Sequence, residues 1–203
     1  MESIPFKNIV CILMLCVSPF LIIGCTGEED EEPTREGEYF LKFKANGIEK
    51  RYEALPNSNA SFFYLPDYKI YGGAIMGVKN IQQATKDVVS IQLFNETTYE
   101  TNKTYQLQDA VSVDLFTRSR IIFTYMDENG KSYNAALLRQ NYPTLTIKDE
   151  AEVRFDELAS NYVRGTFSAL VLETDATNRL VREELVITDG EFYLPRMDGA
   201  APQ

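Results

Sequence analysis

Histidine and tryptophan are absent from this chain of 203 residues, and cysteine occurs only three times. Without histidine there is no Ser-His-Asp triad, no Cys-His pair and no zinc or copper site of the usual His/Cys type. Any metal would be a hard ion on oxygen ligands, so neither a metal site nor a resident cofactor is expected. Basic side chains are also scarce: 20 Lys and Arg stand against 30 Asp and Glu, a formal net charge of −10. Nucleic-acid affinity comes mostly from Lys and Arg neutralising phosphates, so a nucleic-acid partner is not expected. Anionic lipid headgroups would repel the same surface.

Long apolar runs are rare too. The one that stands out covers residues 9–23, after a short segment carrying Lys7. About 15 residues suits a secretory signal and falls short of the roughly 20 that a spanning helix needs. The run ends in Leu21-Ile22-Ile23-Gly24-Cys25, a small residue followed by cysteine, which is how a bacterial lipoprotein signal ends. Residues 1–24 then read as signal peptide, and Cys25 as the acylated first residue of the mature protein. An ordinary cleavage site prefers a small residue where the bulky Ile22 stands. Cys11 and Cys16 fall inside the signal, so the mature chain has no pair of cysteines for a disulfide. Its stability rests on a core, which roughly 180 residues suffice to build. The expected membrane partner is reached through acyl chains on Cys25.

Residues 25–38 form an acidic tether, with Glu28-Glu29-Asp30-Glu31-Glu32 and Pro33 and no apolar periodicity. Five successive acids are the opposite of the Lys/Arg flank of a cytoplasmic stop-transfer segment. Self-repulsion extends such a tether and holds a domain clear of a membrane.

From residue 39 to 197 the pattern is that of strands. Asn46-Gly47 supplies the positive φ values of a type I′ turn between residues 41–45 and 48–52. That turn sets Ala45 opposite Ile48, Phe43 opposite Lys50, Leu41 opposite Tyr52, and Lys44 opposite Glu49 as a cross-strand ion pair. Further strands are expected at 68–76, 88–94, 104–107, 121–126, 131–137, 144–147, 152–155, 163–172, 180–188 and 191–194. Val163, Phe167, Ala169 and Val171 share one face of the longest. A short helix fits residues 81–86 or 149–158, and residues 198–203 read as a tail. The fold class is all-β: an antiparallel sandwich or open barrel of about 9–11 strands.

Two blocks carry a family likeness. One is Phe43-Lys44-Ala45-Asn46-Gly47. The other is Val163-Arg164-Gly165-Thr166-Phe167-Ser168 followed by Val186-Ile187-Thr188-Asp189-Gly190-Glu191-Phe192. Together they resemble a group of uncharacterised Bacteroidota envelope lipoproteins with β-rich domains. The acids after Cys25 are similar to the signal by which such bacteria move lipoproteins to the cell surface, though Thr26-Gly27 stands where many carry Lys or Ser. The resemblance implies an outer-membrane, surface-exposed lipoprotein and assigns no catalytic residue. On the residues alone, Gly165 marks a close approach of backbone or an aromatic ring. Thr188-Asp189-Gly190 reads as a turn.

No catalytic residue is expected. Asp127-Glu128-Asn129-Gly130 reads as a hairpin tip, since it lacks the ligand spacing of a calcium loop. Asp109 with Asp114, or Glu183 with Glu184, would be candidates for a glycosidase carboxylate pair, as would Asp189 for a carboxylate hydrolase. Adjacent Glu183 and Glu184 point to opposite faces of a strand. The aromatic stretch Phe62-Phe63-Tyr64 with Tyr68 and Tyr71 places Phe63, Tyr64 and Tyr68 as candidate ligand-binding rings on a loop, for a protein or glycan ligand. The functional expectation is a non-catalytic binding or accessory module, with a fimbrillin-like pilin subunit and a carboxylate hydrolase as alternatives.

Overall fold

The computed structural model describes residues 39–53, 58–83, 85–113, 116–138, 144, 146–175 and 180–197. The apolar run, Cys25, the acidic tether, Asp114 and the tail lie outside the described residues. Among the described residues thirteen strands follow one another: β1 (Phe40–Ala45), β2 (Ile48–Glu53), β3 (Asn59–Leu65), β4 (Ile70–Val78), β5 (Val88–Asn95), β6 (Thr104–Gln106), β7 (Ala110–Val113), β8 (Phe116–Ser119), β9 (Ile121–Met126), β10 (Ser132–Ala135), β11 (Glu150–Leu158), β12 (Tyr162–Thr174) and β13 (Leu180–Pro195). Eleven form one antiparallel sheet in the order β2-β1-β13-β12-β10-β9-β5-β4-β3, with β11 on β12 and β6 on β11. The remaining two, β7 and β8, make a separate hairpin. The large sheet curls into a half-barrel, so the all-β reading holds.

Period-two alternation fills the inside of the curl. Leu41, Phe43, Val89, Ile91, Leu93, Phe123, Tyr125, Val163, Phe167, Val171, Phe192 and Leu194 all face one core. Phe155 meets Phe62, Tyr99, Tyr105 and Phe192 at centroid distances of 5.6 to 6.0 Å, mostly edge-on, as ring quadrupoles prefer. The curl brings the end strand β3 against the chain leaving β13. Ala60 on β3 bridges Arg196, and the Met197 N–H donates to the Ala60 carbonyl at 2.7 Å. Lys50 on β2 reaches across to Glu128 in the β9–β10 turn at 2.6 Å. A smaller cluster lies on the outside of the curl, where Ile70, Phe94 and Val111 pack β7 onto β4 and β5.

The Asn46-Gly47 turn has φ values of 48° and 82°, and the β1–β2 register is the expected one. Four expectations need correction. The aromatic stretch 59–65 is strand β3 rather than a loop, because its alternating face packs into the core through Ala60 and Phe62. Residues 150–158 are strand β11, not helix; alternate Ala151, Val153 and Phe155 are the buried ones. A three-residue 3-10 turn, Ile81–Gln83, is all that forms at the other helical candidate. The described residues near 144–147 form no strand, although Ile147 packs with Leu138 and Leu172.

A fifth correction concerns residues 188–190. Thr188-Asp189-Gly190 is no turn but a bulge inside the 16-residue strand β13. Lys44 pairs with Thr188 and Lys42 with Glu191, so Asp189 and Gly190 together oppose Phe43. The extra residue switches the buried positions from Leu185 and Ile187 to Phe192 and Leu194, odd to even. An alternation that breaks this way mimics a strand end.

Candidate functional site

The expected aromatic site is dispersed. Phe63 and Tyr64 are neighbours in β3, and alternation sends them to opposite faces. Phe63 is half exposed and lies over its cross-strand partner Gly72 on the outside of the curl. Tyr64 pairs with Tyr71 on the other face, their ring centroids 4.8 Å apart. Tyr68 sits in the β3–β4 turn, exposed, with its N–H donated to the Leu65 carbonyl at 3.2 Å.

The carboxylates are scattered as well. Asp109 lies 3.9 Å from Arg120. Glu183 meets Lys131 at 3.0 Å, and this hydrogen bond holds its carboxyl below the ordinary range. Asp127 turns its Oδ1 to the N–H groups of Asn129 and Lys131 at 2.8 and 2.9 Å, which builds the hairpin tip. Among the described residues no group of three or more Asp, Glu, Cys or His is placed to hold a metal ion.

What the fold assembles instead lies on the outer face of β1, β13, β12 and β11. On β1 the core takes Leu41, Phe43 and Ala45, leaving Phe40, Lys42 and Lys44 outside. On β12 the same rule leaves Arg164, Thr166 and Ser168 outside. The strand registers then line these side chains up in rows. The first row runs Phe40–Tyr193–Arg164. A second, two residues along each strand, runs Lys42–Glu191–Thr166–Arg154–Thr104. In the third, Lys44 meets the bulge at Thr188 and Asp189, and Ser168 lies beside Glu152. Each step along a strand is about 3.3 Å, so successive rows are spaced about 7 Å apart.

The second and third rows form a groove of about 680 Å³, also lined by Glu49, Phe43, Phe167 and Gly190. Its three cations are each matched by a carboxylate. Lys42 pairs with Glu191 and Lys44 with Asp189, both at 2.9 Å. The hydrogen bond from Lys44 to Asp189 raises the ammonium above its ordinary pKa. Glu49, expected opposite Lys44, is its register partner, yet the bulge brings Asp189 closer to the amine. Ser168 donates to Glu152 at 3.1 Å, and the Arg154 guanidinium donates to Asn102 at 3.0 Å.

The first row adds rings at one end of the groove. Tyr193 lies 4.8 Å from Tyr39 and 5.3 Å from Tyr162, centroid to centroid. The Arg51 guanidinium stands 4.6 Å over Phe40. All four rings are half-buried.

Two glycines allow this face to form. A Cβ on Gly165 would strike the Arg154 carbonyl oxygen and come within 2.6 Å of the Phe192 ring. The close approach expected of Gly165 is therefore present as both backbone and ring. Gly190 likewise lies against the Phe167 carbonyl, with no room for a side chain. Asp189, at φ 51°, takes the left-handed position that a bulge usually gives to glycine.

No protein-family model matches this chain, and neither does any curated protein or solved structure. The face must therefore be read from its own chemistry. Sequence reasoning missed its rings because they come from residues 39, 40, 162 and 193. The available signal was local: Phe40 shares a strand face with Lys42 and Lys44, and Tyr193 shares one with Glu191 beyond the bulge. An aromatic ring on the charged side of a strand is not core.

Proposed function

We propose that this protein is a membrane-anchored envelope lipoprotein whose β domain is a non-catalytic binding module. Anchoring at the outer membrane, with the domain exposed at the cell surface, would run through acyl chains on Cys25. The support for that half is the Ile22-Ile23-Gly24-Cys25 sequence, the acidic residues behind it and the Bacteroidota lipoprotein likeness. The binding half rests on one observation: rings, hydroxyls and internally paired charges share one face of the sheet, along β1, β13, β12 and β11. Polar groups held by their neighbours are good fixed donors and acceptors for a ligand. A strand-exchanging pilin subunit has less support, since Met197 bonds to Ala60 of its own chain.

Anchoring is tested in a bacterial host by blocking the lipoprotein signal peptidase with globomycin and by Cys25→Ala. The uncleaved precursor should accumulate, and the variant should leave the membrane fraction; unchanged processing and fractionation would refute it. Binding is tested by hydrogen exchange on the full chain in detergent, with cell-envelope extract separated into polysaccharide and peptide fractions. Slowed exchange on β12 and β13 with at least one fraction supports the module. If neither fraction protects that face, the binding reading falls.

A further inference from the structure

We infer that the ligand of this face is an uncharged oligosaccharide. The inference rests on the binding reading above and names the chemistry of its ligand. The argument begins with charge. Lys42 and Lys44 are each held at 2.9 Å by a carboxylate, and Arg154 also has Asp156 at 3.4 Å. An anionic ligand would have to break these pairs to gain a cation, and it would meet Glu49 and Glu152 along the same groove. A neutral ligand need break none, and the pairs fix the directions of the remaining donors and acceptors.

The second argument is the order of the groups. Sugar rings present apolar C–H faces and polar hydroxyl edges, so a binding face needs aromatic surface and hydrogen-bonding groups side by side. Phe40 and Tyr193 form a ring row, and Thr166 and Glu191 belong to the next row along the same strands. Ser168 and the Lys44–Asp189 pair continue the polar edge one row further. A peptide adding as a strand would need open backbone N–H and C=O groups, which this face does not offer, since β12 and β13 are paired on both sides.

Titration calorimetry on the full chain in detergent tests this, using neutral hexasaccharides of glucose, xylose, mannose and galactose, with hexagalacturonate as the charged control. At least one neutral hexasaccharide should bind, and hexagalacturonate should not. Tyr193→Ala should weaken that binding about tenfold, the worth of one aromatic contact. Thr166→Val, which leaves every ring in place, should also weaken it, while thermal unfolding stays cooperative in both variants. Binding of hexagalacturonate alone, binding unaffected by both substitutions, or no binding at all would overturn the inference. Should the envelope peptide fraction protect β12 and β13 while every hexasaccharide fails, the module stands and the sugar falls. Should neither fraction protect that face, the module falls with it.

Discussion

In the curled sheet, β3, β4, β5 and β9 have 7, 9, 8 and 6 residues and pair with one another without a register shift. Across the curl, β12 and β13 have 13 and 16 residues, and their pairings with each other and with β1 and β11 all contain shifts. The outer faces differ in the same sense. The regular half carries a small apolar cluster under β7, and Arg118 lies over Phe94 at 5.1 Å. The bulged half leaves Lys44, Thr166, Glu152 and Arg154 exposed along a groove. Bulges interrupt pairing and re-aim side chains, and they tend to occur where a sheet is shaped for use. One half is a wall; the other has been bent into a surface.

The sharpest way to break that contrast is at the joint. Phe155 on β11 touches both halves, meeting Phe62 on β3 and Phe192 on β13. Phe155→Ala should cost about 4 kcal/mol, transfer and cavity together. Phe94→Ala, in a cluster of three buried residues on the outside, should cost about half as much because Arg118 and Leu65 can settle inward. Urea unfolding midpoints decide it; equal losses would mean that the two clusters weigh alike.

Next come two glycines, one from each half. Gly165→Ala drives a methyl into the Arg154 carbonyl and the Phe192 ring, neither of which can move without opening the β11–β12–β13 pairing. It should lose about 3 kcal/mol. Gly72→Ala meets only the ring of Phe63, which is 38% exposed and free to swing outward. That loss should stay under about 1 kcal/mol. Thermal melts of the pair would refute the distinction if Gly72→Ala were the more damaging.

The bulge itself gives a smaller effect. Asp189→Val places a β-branched residue at φ 51° and should cost about 2 kcal/mol. Asp189→Gly relieves the left-handed conformation while losing the Lys44 pair, and should leave the unfolding midpoint close to wild type. If both variants unfold alike, the conformation of residue 189 is not what holds the bulge.

The same contrast governs what could be read from the residues alone. Strands with unbroken alternation, such as Val89-Ser90-Ile91-Gln92-Leu93, announce themselves, and Asn46-Gly47 sets the register of its hairpin. Strand β13 reads as two strands and a turn because Asp189-Gly190 is a turn dipeptide in isolation; only β1 and β12 on either side hold it extended. Strand β3 hides because Phe62-Phe63-Tyr64 has no polar alternation to mark it. The candidate face is legible one strand at a time, as Phe40 beside Lys42 or Thr166 beside Ser168. Its assembly is not, because Lys42, Glu191, Thr166 and Arg154 meet through three separate pairings. Rings crowded in one stretch, Phe63 to Tyr68, are conspicuous yet point apart. Rings that converge come from both ends of the domain.

The smallest effect separates the halves by pH. Glu128, at the tip of the β9–β10 turn, accepts a hydrogen bond from Lys50 on β2, which holds its carboxyl below the ordinary 4.5. A depressed folded pKa gives stability that is complete above 4.5 and is lost as pH falls through the folded value. Lys44 is the opposite case: its ammonium is raised above 10.5 by Asp189, so its contribution is complete below that pH and is lost as pH climbs through the folded value. The clasp between the halves therefore weakens in acid, and the pair inside the bulged half weakens in alkali. Glu128 is more than half exposed, so solvent screening leaves its clasp about 0.5 kcal/mol, less in high salt. Lys50→Met should flatten the fall of the urea midpoint below pH 4.5 and leave the alkaline limb unchanged. Asp189→Gly should do the reverse. An acid limb that Lys50→Met does not alter would show that the two halves are held by the core and the Ala60–Arg196 bridge, with no share from the clasp.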